Sequence, residues 1–151
     1  MTIHPDLSTG RYRLTVERNM IADAHALYDA WTSKLDDWLA EPGTVLMAPE
    51  VDRPFFFETR FDERSHPHYG RFLTLVPDRL IKLTWVTGSA GTKGAETIIT
   101  IELNPARTGT HLKLTQCGFC DEESRNAHEL AWPKVLEHLD LSMKTRQRAS
   151  A

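Results

Sequence analysis

Between residues 11 and 18 the chain alternates, with Tyr12, Leu14 and Val16 on one face and Arg11, Arg13, Thr15 and Glu17 on the other. A period of two predicts a half-buried strand. After Asp23 the period lengthens. Asp23 is a helix-capping residue, and Ala24, Leu27, Tyr28 and Trp31 follow at i, i+3, i+4 and i+7, the stripe of an amphipathic helix. A second helical piece from Ser33 to about Leu39 brings Leu35, Trp38 and Leu39 inward, and Pro42-Gly43 breaks it.

Period two then returns. Phe55, Phe57, Thr59 and Phe61 share one strand face, and Glu58, Arg60 and Asp62 the other. The polar stretch 63–68, with Pro67 inside it, reads as a hairpin loop. Strands are predicted over 69–76 and 80–87 with Pro77-Asp78 as the turn between them, then at Thr97, Ile99, Ile101 and Leu103, and finally at Leu112, Leu114 and Gln116. The small-residue segment 88–94 and the segment 104–109 read as connecting loops. Turns this short join antiparallel neighbours, because a parallel pair needs a long crossover.

A helix starting near Asp121 closes the chain, with Asp121, Glu122 and Glu123 in its first turn and Lys144, Arg146 and Arg148 near its end, as the helix dipole favours. Its predicted apolar stripe is His128, Ala131, Trp132, Val135, Leu136, Leu139 and Met143. Pro133 removes the amide that would bond the Glu129 carbonyl, which predicts a bend there. Only this helix is long enough to cover one sheet face. The expected fold is α+β: one domain over 1–151, a curved antiparallel sheet around the C-terminal helix, an apolar cavity between them, and loose ends at 1–10 and 144–151.

Composition narrows the function. The 151 residues suit one domain that buries roughly 70% of its unfolded surface. The chain is 40% hydrophobic and 26% charged, with a net charge of −3 and no basic block, so nucleic acid is not an expected partner. Neither a membrane span nor a secretory signal is visible, and two cysteines make no disulfide framework, so a cytoplasmic protein is expected.

Most of the chemistry-bearing pairs have plainer uses. Cys117 and Cys120 have redox or half-zinc spacing, but Cys117 ends a strand and no second pair of ligands stands nearby. His66 and His68 flank Pro67 in the expected loop and lack a third metal ligand. Asp36-Asp37 reads as a solvated face, and Asp121-Glu122-Glu123 as a dipole-matched helix start. No metal or other cofactor is expected. His128 differs, because it lies on the helix stripe that faces the sheet, where a ligand contact or acid–base role competes with simple bonding to a carbonyl. The inward sheet face also carries Thr59, Thr87, Thr97 and Gln116 among aromatic residues, the composition of a ligand pocket.

The chain resembles the START-like (SRPBCC) superfamily, and within it the domain of the activator of Hsp90 ATPase homologues. The resemblance runs from about Arg11 to Leu139. Its carriers are Ala30-Trp31-Thr32 with Trp38, Gly70-Arg71-Phe72, Pro77-Asp78-Arg79-Leu80 leading to Thr84-Trp85, Thr97 with Thr100, Glu102 and Leu103, Gly109-Thr110 with Leu112, Leu114 and Thr115, Gly118-Phe119, and His128 with Trp132, Leu136 and Leu139. Pro54-Phe55-Phe56-Phe57 replaces the family's Gly-Gly pair, Ala131 its usual Gly, and Trp38-Leu39 its paired Trp; all three bear on pocket shape. The resemblance implies a helix-grip fold with a cavity between sheet and helix. It favours a binding module for a small apolar or aromatic molecule, with Trp38, Phe57, Thr59, Trp85, Thr97, Gln116, His128 and Trp132 as the ligand-binding residues. The alternatives are a cyclase- or hydrolase-type enzyme using His128, with Gln116 or Thr97 orienting a carbonyl, and a chaperone-interacting module.

Overall fold

The computed structural model describes residues 12–150. Residues 1–11 and 151, which include the expected loose N-terminus and Arg11 of the first strand, lie outside them. Six strands form one antiparallel sheet: β1 (Arg13–Met20), β2 (Pro54–Phe61), β3 (Arg64–Val76), β4 (Leu80–Trp85), β5 (Thr97–Pro105) and β6 (Thr110–Cys117). Their spatial order is β1-β6-β5-β4-β3-β2, so β1, first in sequence, closes one edge beside β6 and the rest is a meander. Helix α1 (Ala24–Thr32) is capped by the Asp23 side chain, which accepts from Ala26 N. The second helical piece shrinks to a single 3₁₀ turn, Leu35–Asp37. Helix α2 (Glu122–Ser150) runs on through Pro133, which lies on its exposed side.

One expectation fails at the β2–β3 hairpin. The stretch 63–68 is not a loop: β3 begins at Arg64, and the turn is Asp62-Glu63 alone, both at positive φ (52° and 61°). Two consecutive left-handed residues make the two-residue turn whose twist matches a hairpin. Pro67 fits inside the strand because β3 pairs there only with β2, opposite Glu58, while β4 joins higher up, at Phe72–Val76. The missing amide thus faces an unpaired edge. Residues 41–46 run along the outer edge of β2, where Glu41 N donates to Glu58 O (2.7 Å) and Leu46 exchanges bonds with Phe56 (2.8 and 2.9 Å), shielding an otherwise open strand.

The inner face carries Leu14, Leu112, Leu114, Ile99, Ile101, Ile81, Leu83 and Phe72, all buried, under α1 and α2. A Cβ on Gly70 would lie 2.1 Å from the Thr84 carbonyl oxygen and 2.6 Å from Phe55 Cζ. Glycine at that point lets the Phe55 ring cross over β3. The stripe of α2 that packs inward is Ser124, Trp132, Leu136, Leu139, Asp140 and Met143, with His128 and Val135 half-buried. Ala131, expected in this stripe, is exposed instead. It stands one residue before Trp132, about 100° round the helix, outside the arc that the sheet covers. Phe61 is likewise exposed, at the hairpin tip.

Asp140 is the polar member of that stripe. Only 4% exposed, it accepts from Ile21 N (3.0 Å) and from Arg18 (3.1 and 3.3 Å), fastening α2 to the end of β1. Asp140→Ala leaves the Ile21 amide without its acceptor, whereas the Arg18 cation, with its side chain 36% exposed, turns to water. The expected loss is about 2 kcal/mol in urea unfolding. Asp140→Asn, which keeps one carbonyl oxygen, recovers part of it; no difference between the two variants would show that the Ile21 bond contributes nothing.

Candidate functional site

The rings between the sheet and the helices form a continuous chain. Trp38 stands edge-on to Trp31 at 5.0 Å between centroids, Trp31 lies 6.1 Å from Trp132, and Trp132 lies 5.7 Å from Trp85. Trp85 touches Phe57 at 5.5 Å, and Phe57 continues to Phe55 at 6.2 Å and on to Phe72 at 5.4 Å. The register explains the convergence. Trp85, opposite Thr97, ends β4 on the inner face, while Phe57, opposite His68, brings the edge hairpin over the same side. Trp132 descends from α2 and Trp31 from α1. Trp85 and Trp132, taken from the sequence as two walls of one space, stand on the same side of the sheet.

The polar residues of this region are bonded to one another. Trp132 Nε1 donates to Gln116 Oε1 (2.7 Å), Gln116 Nε2 donates to Thr97 Oγ1 (3.0 Å), and Thr97 Oγ1 donates to the Trp85 carbonyl (2.6 Å). The sequence alone suggests that Gln116 and Thr97 orient a ligand. Their main bonds are spent on each other, tying α2 to β4, β5 and β6 through a buried relay in which each of these side-chain polar atoms has a partner. Trp38 is also engaged, Nε1 donating to the Ala30 carbonyl (2.8 Å) while its own carbonyl accepts from His138 Nε2 (2.8 Å). Thr59 sits opposite His66, toward the hairpin end, and no hydrogen bond among the described residues ties it to the rings. Thr87 is buried just before the 88–94 loop, and its backbone and hydroxyl exchange bonds with Thr92 (2.8 and 2.7 Å).

Two groups with unspent capacity escape the sequence reading. Trp31 Nε1 is buried with no hydrogen-bond partner among the described residues, in a residue 1% exposed. His68, read as part of a loop, is a β3 residue turned inward, stacked on Phe57 at 4.6 Å and edge-on to Trp85 at 4.9 Å. Alternation would have found it had the strand been started at Arg64, since His68 pairs with Phe57 across the hairpin. Its Nδ1 lies 2.9 Å from the His66 carbonyl, and a carbonyl only accepts, so Nδ1 carries the hydrogen. His128 repeats the arrangement, with Nδ1 2.7 Å from the Ser124 carbonyl and its ring 4.9 Å from Phe119.

Both imidazoles are held neutral. Burial pushes the His68 pKa down to about 4, against the bond to His66 O, and the neighbouring His66 and His128 also oppose a second charge. Burial lowers His128 as well, partly offset by its bond to Ser124 O. Each ring therefore keeps Nε2 as a lone-pair acceptor. Ser124, one turn before His128 on α2, is buried at 2% exposure, with its hydroxyl directed to the Asp121 carboxylate.

Surrounding features stabilise this end. Asp121 accepts from Ser124 N (2.8 Å) at the start of α2 and from Lys93 Nζ (2.9 Å), and these bonds hold its carboxyl down at about 2. Lys93 also reaches Glu123 (2.8 Å), pinning the 88–94 loop to α2. Cys117 is buried and Cys120 exposed, and the two form no disulfide. Among the described residues no group of three or more His, Cys, Asp or Glu is arranged to hold a metal, and no helix is long and apolar enough to cross a membrane.

A curved antiparallel sheet closed over a long C-terminal helix, with an aromatic inner wall, is the helix-grip fold of START-like (SRPBCC) proteins. The chain belongs to the Activator of Hsp90 ATPase homolog 1-like protein family, whose model matches residues 22–144. Solved structures agree in fold. A Chromobacterium violaceum protein is 25% identical, with a TM-score of 0.73 over 86% of this chain and 96% of its own. The AHSA1 protein of Silicibacter pomeroyi is 20% identical, with a TM-score of 0.72 over 89% and 99%. CalU16 of Micromonospora echinospora is 16% identical, with a TM-score of 0.65 over 87% and 73%. No curated protein matches the chain.

Proposed function

We propose that the protein binds a small apolar molecule with an aromatic part, seated between the sheet and α2 against Trp31, Phe57, Trp85 and Trp132. The observation that carries this reading is the buried indole N–H of Trp31, which has no partner among the described residues inside an otherwise aromatic wall. Leaving such a donor unmade costs about 1–3 kcal/mol, so an acceptor from outside the described residues, in this reading the ligand, accounts for its position. Apolar walls with a few placed polar groups are the usual make-up of ligand sites. Membership of a fold family that generally binds ligands points the same way. Two cysteines that form no disulfide suit the cytoplasm, where we place this binding.

The enzyme reading is weaker. His128 would need a carboxylate orienting its Nδ1, and that nitrogen bonds only a backbone carbonyl. A chaperone-facing role rests on the family name alone.

The test is native mass spectrometry of freshly purified protein, followed by a thermal-shift screen of neutral aromatic compounds. A retained or screened compound is expected to stabilise the fold by about 2.7 kcal/mol at 100 times its Kd, and Trp31→Phe to weaken it by about tenfold. A clean apo mass with no compound shifting the melt would sink the proposal.

A further inference from the structure

His68 on β3 touches the aromatic chain at Phe57 and Trp85, His128 stands one turn of α2 before Trp132, and both present the same chemistry. In each, Nδ1 is committed to a backbone carbonyl (2.9 and 2.7 Å), and Nε2 has no partner among the described residues. Both rings are half-buried against aromatic faces, His68 on Phe57 and Trp85, His128 on Phe119. A lone pair set among aromatic rings repels an anion and attracts a hydrogen-bond donor, and each imidazole offers one.

Nearby cations do not alter this. Lys93 is spent on Asp121 and Glu123, and Arg125 donates to the Arg13 carbonyl (2.9 Å) and to Glu129. No described ion pair or hydrogen bond brings a positive side chain to the ring wall that could receive a carboxylate.

We infer that His68 and His128 form the recognition end of the site, accepting a hydroxyl or N–H from an uncharged aromatic ring. The ligand class is thus a phenol or its N–H equivalent, and not a fatty or aromatic acid. This inference rests on the reading of the aromatic wall as a ligand site. Specificity follows from the asymmetry of buried hydrogen bonds. An analogue without the donor buries two acceptors with nothing to meet them, and such sites reject it far more strongly than a size change would.

Three probes of one size separate the possibilities: 2-naphthol, 2-methoxynaphthalene, which keeps the ring and oxygen but loses the donor, and 2-naphthoate. Their affinities are to be measured at pH 7.5 by quenching of tryptophan fluorescence, checked by calorimetry. The expected result is 2-naphthol binding at least tenfold more tightly than either of the others. In His68→Phe, which keeps a ring against Phe57 and Trp85, the preference for the naphthol over the methyl ether falls below threefold; in His128→Phe it also shrinks. Equal binding of naphthol and ether by the native chain overturns the inference while leaving the aromatic-ligand reading intact. Tighter binding of the naphthoate, or a preference that survives both substitutions, overturns it too. If none of the three binds, the inference and the reading beneath it fall together.

Discussion

Trp132→Ala is expected to destabilise the protein by about 5 kcal/mol, the largest loss from any single side chain of the site. Two effects combine. Removing a buried tryptophan side chain costs about 3–5 kcal/mol through lost burial and the cavity left behind. Here the ring also bridges Trp31 at 6.1 Å and Trp85 at 5.7 Å, so both lose a packing partner. The second effect is polar. Trp132 Nε1 is the donor to Gln116 Oε1 at 2.7 Å, and Gln116 is fully buried. Its stranded oxygen adds about 1–3 kcal/mol unless water follows into the space. Urea unfolding of Trp132→Phe separates the two, because phenylalanine fills most of the volume and has no N–H. That variant is expected to lose about 2 kcal/mol, and it remains readable should the alanine variant fail to fold. A Trp132→Phe protein within about 0.5 kcal/mol of the native chain would show that the relay from Trp132 through Gln116 to Thr97 carries no stability.

The alternation of β1, β2, β5 and β6 and the i, i+3, i+4, i+7 stripe of α1 were legible because one buried face imposes one period. Where two constraints met, the pattern misled. Ser65-His66-Pro67-His68 is polar and contains proline, so composition spoke for a loop, but the decisive fact was non-local: β4 stops pairing before reaching this part of β3. Only sheet order reveals that Pro67 faces an unpaired edge and that His68 turns inward beside Phe57. Asp140 illustrates the converse. An acid on a helix invites a solvated reading, yet Arg18 and the Ile21 amide, distant in sequence, meet it from the end of β1. Gln116 and Thr97 were identified as inward polar residues from alternation alone. Periodicity gives a direction, however, and not a partner, so it did not reveal that they bond to each other. The unpartnered N–H of Trp31 was invisible for the same reason, since an absence of partners appears only once the surrounding backbone is placed.

Acidification is expected to weaken the fold between pH 6.5 and pH 4 through His68. Its pKa is pushed down to about 4 by burial, from an ordinary value of 6.5. The unfolded chain therefore takes up the proton first, and the unfolded state binds more protons throughout that window. Stability is fully present above pH 6.5 and drains as pH falls, by roughly 3 kcal/mol once pH 4 is passed. The groups facing His68 work in the same direction. His66 on β3 and His128 on α2 each oppose its protonation, and burial lowers His128 as well. Other groups act with different sign or range. His25 is raised by its bond to Asp78 and by the charge of Asp29, so its contribution is present at low pH and lost as pH rises through its folded pKa. Glu17 and Asp121 are lowered carboxylates with ordinary values of 4.5 and 3.8, so their losses fall mainly beneath the window. Urea unfolding of the native chain and of His68→Phe at pH 7.5, 6.5, 5.5 and 4.5 isolates the one histidine, because every other group is common to both. The variant keeps an aromatic ring against Phe57 and Trp85 but has nothing to titrate. The expected result is a native curve that falls with acid by up to roughly 3 kcal/mol more than the variant's. Parallel curves across the range would mean that His68 accepts its proton as readily in the folded chain as in the unfolded one, and that its Nε2 already reaches water.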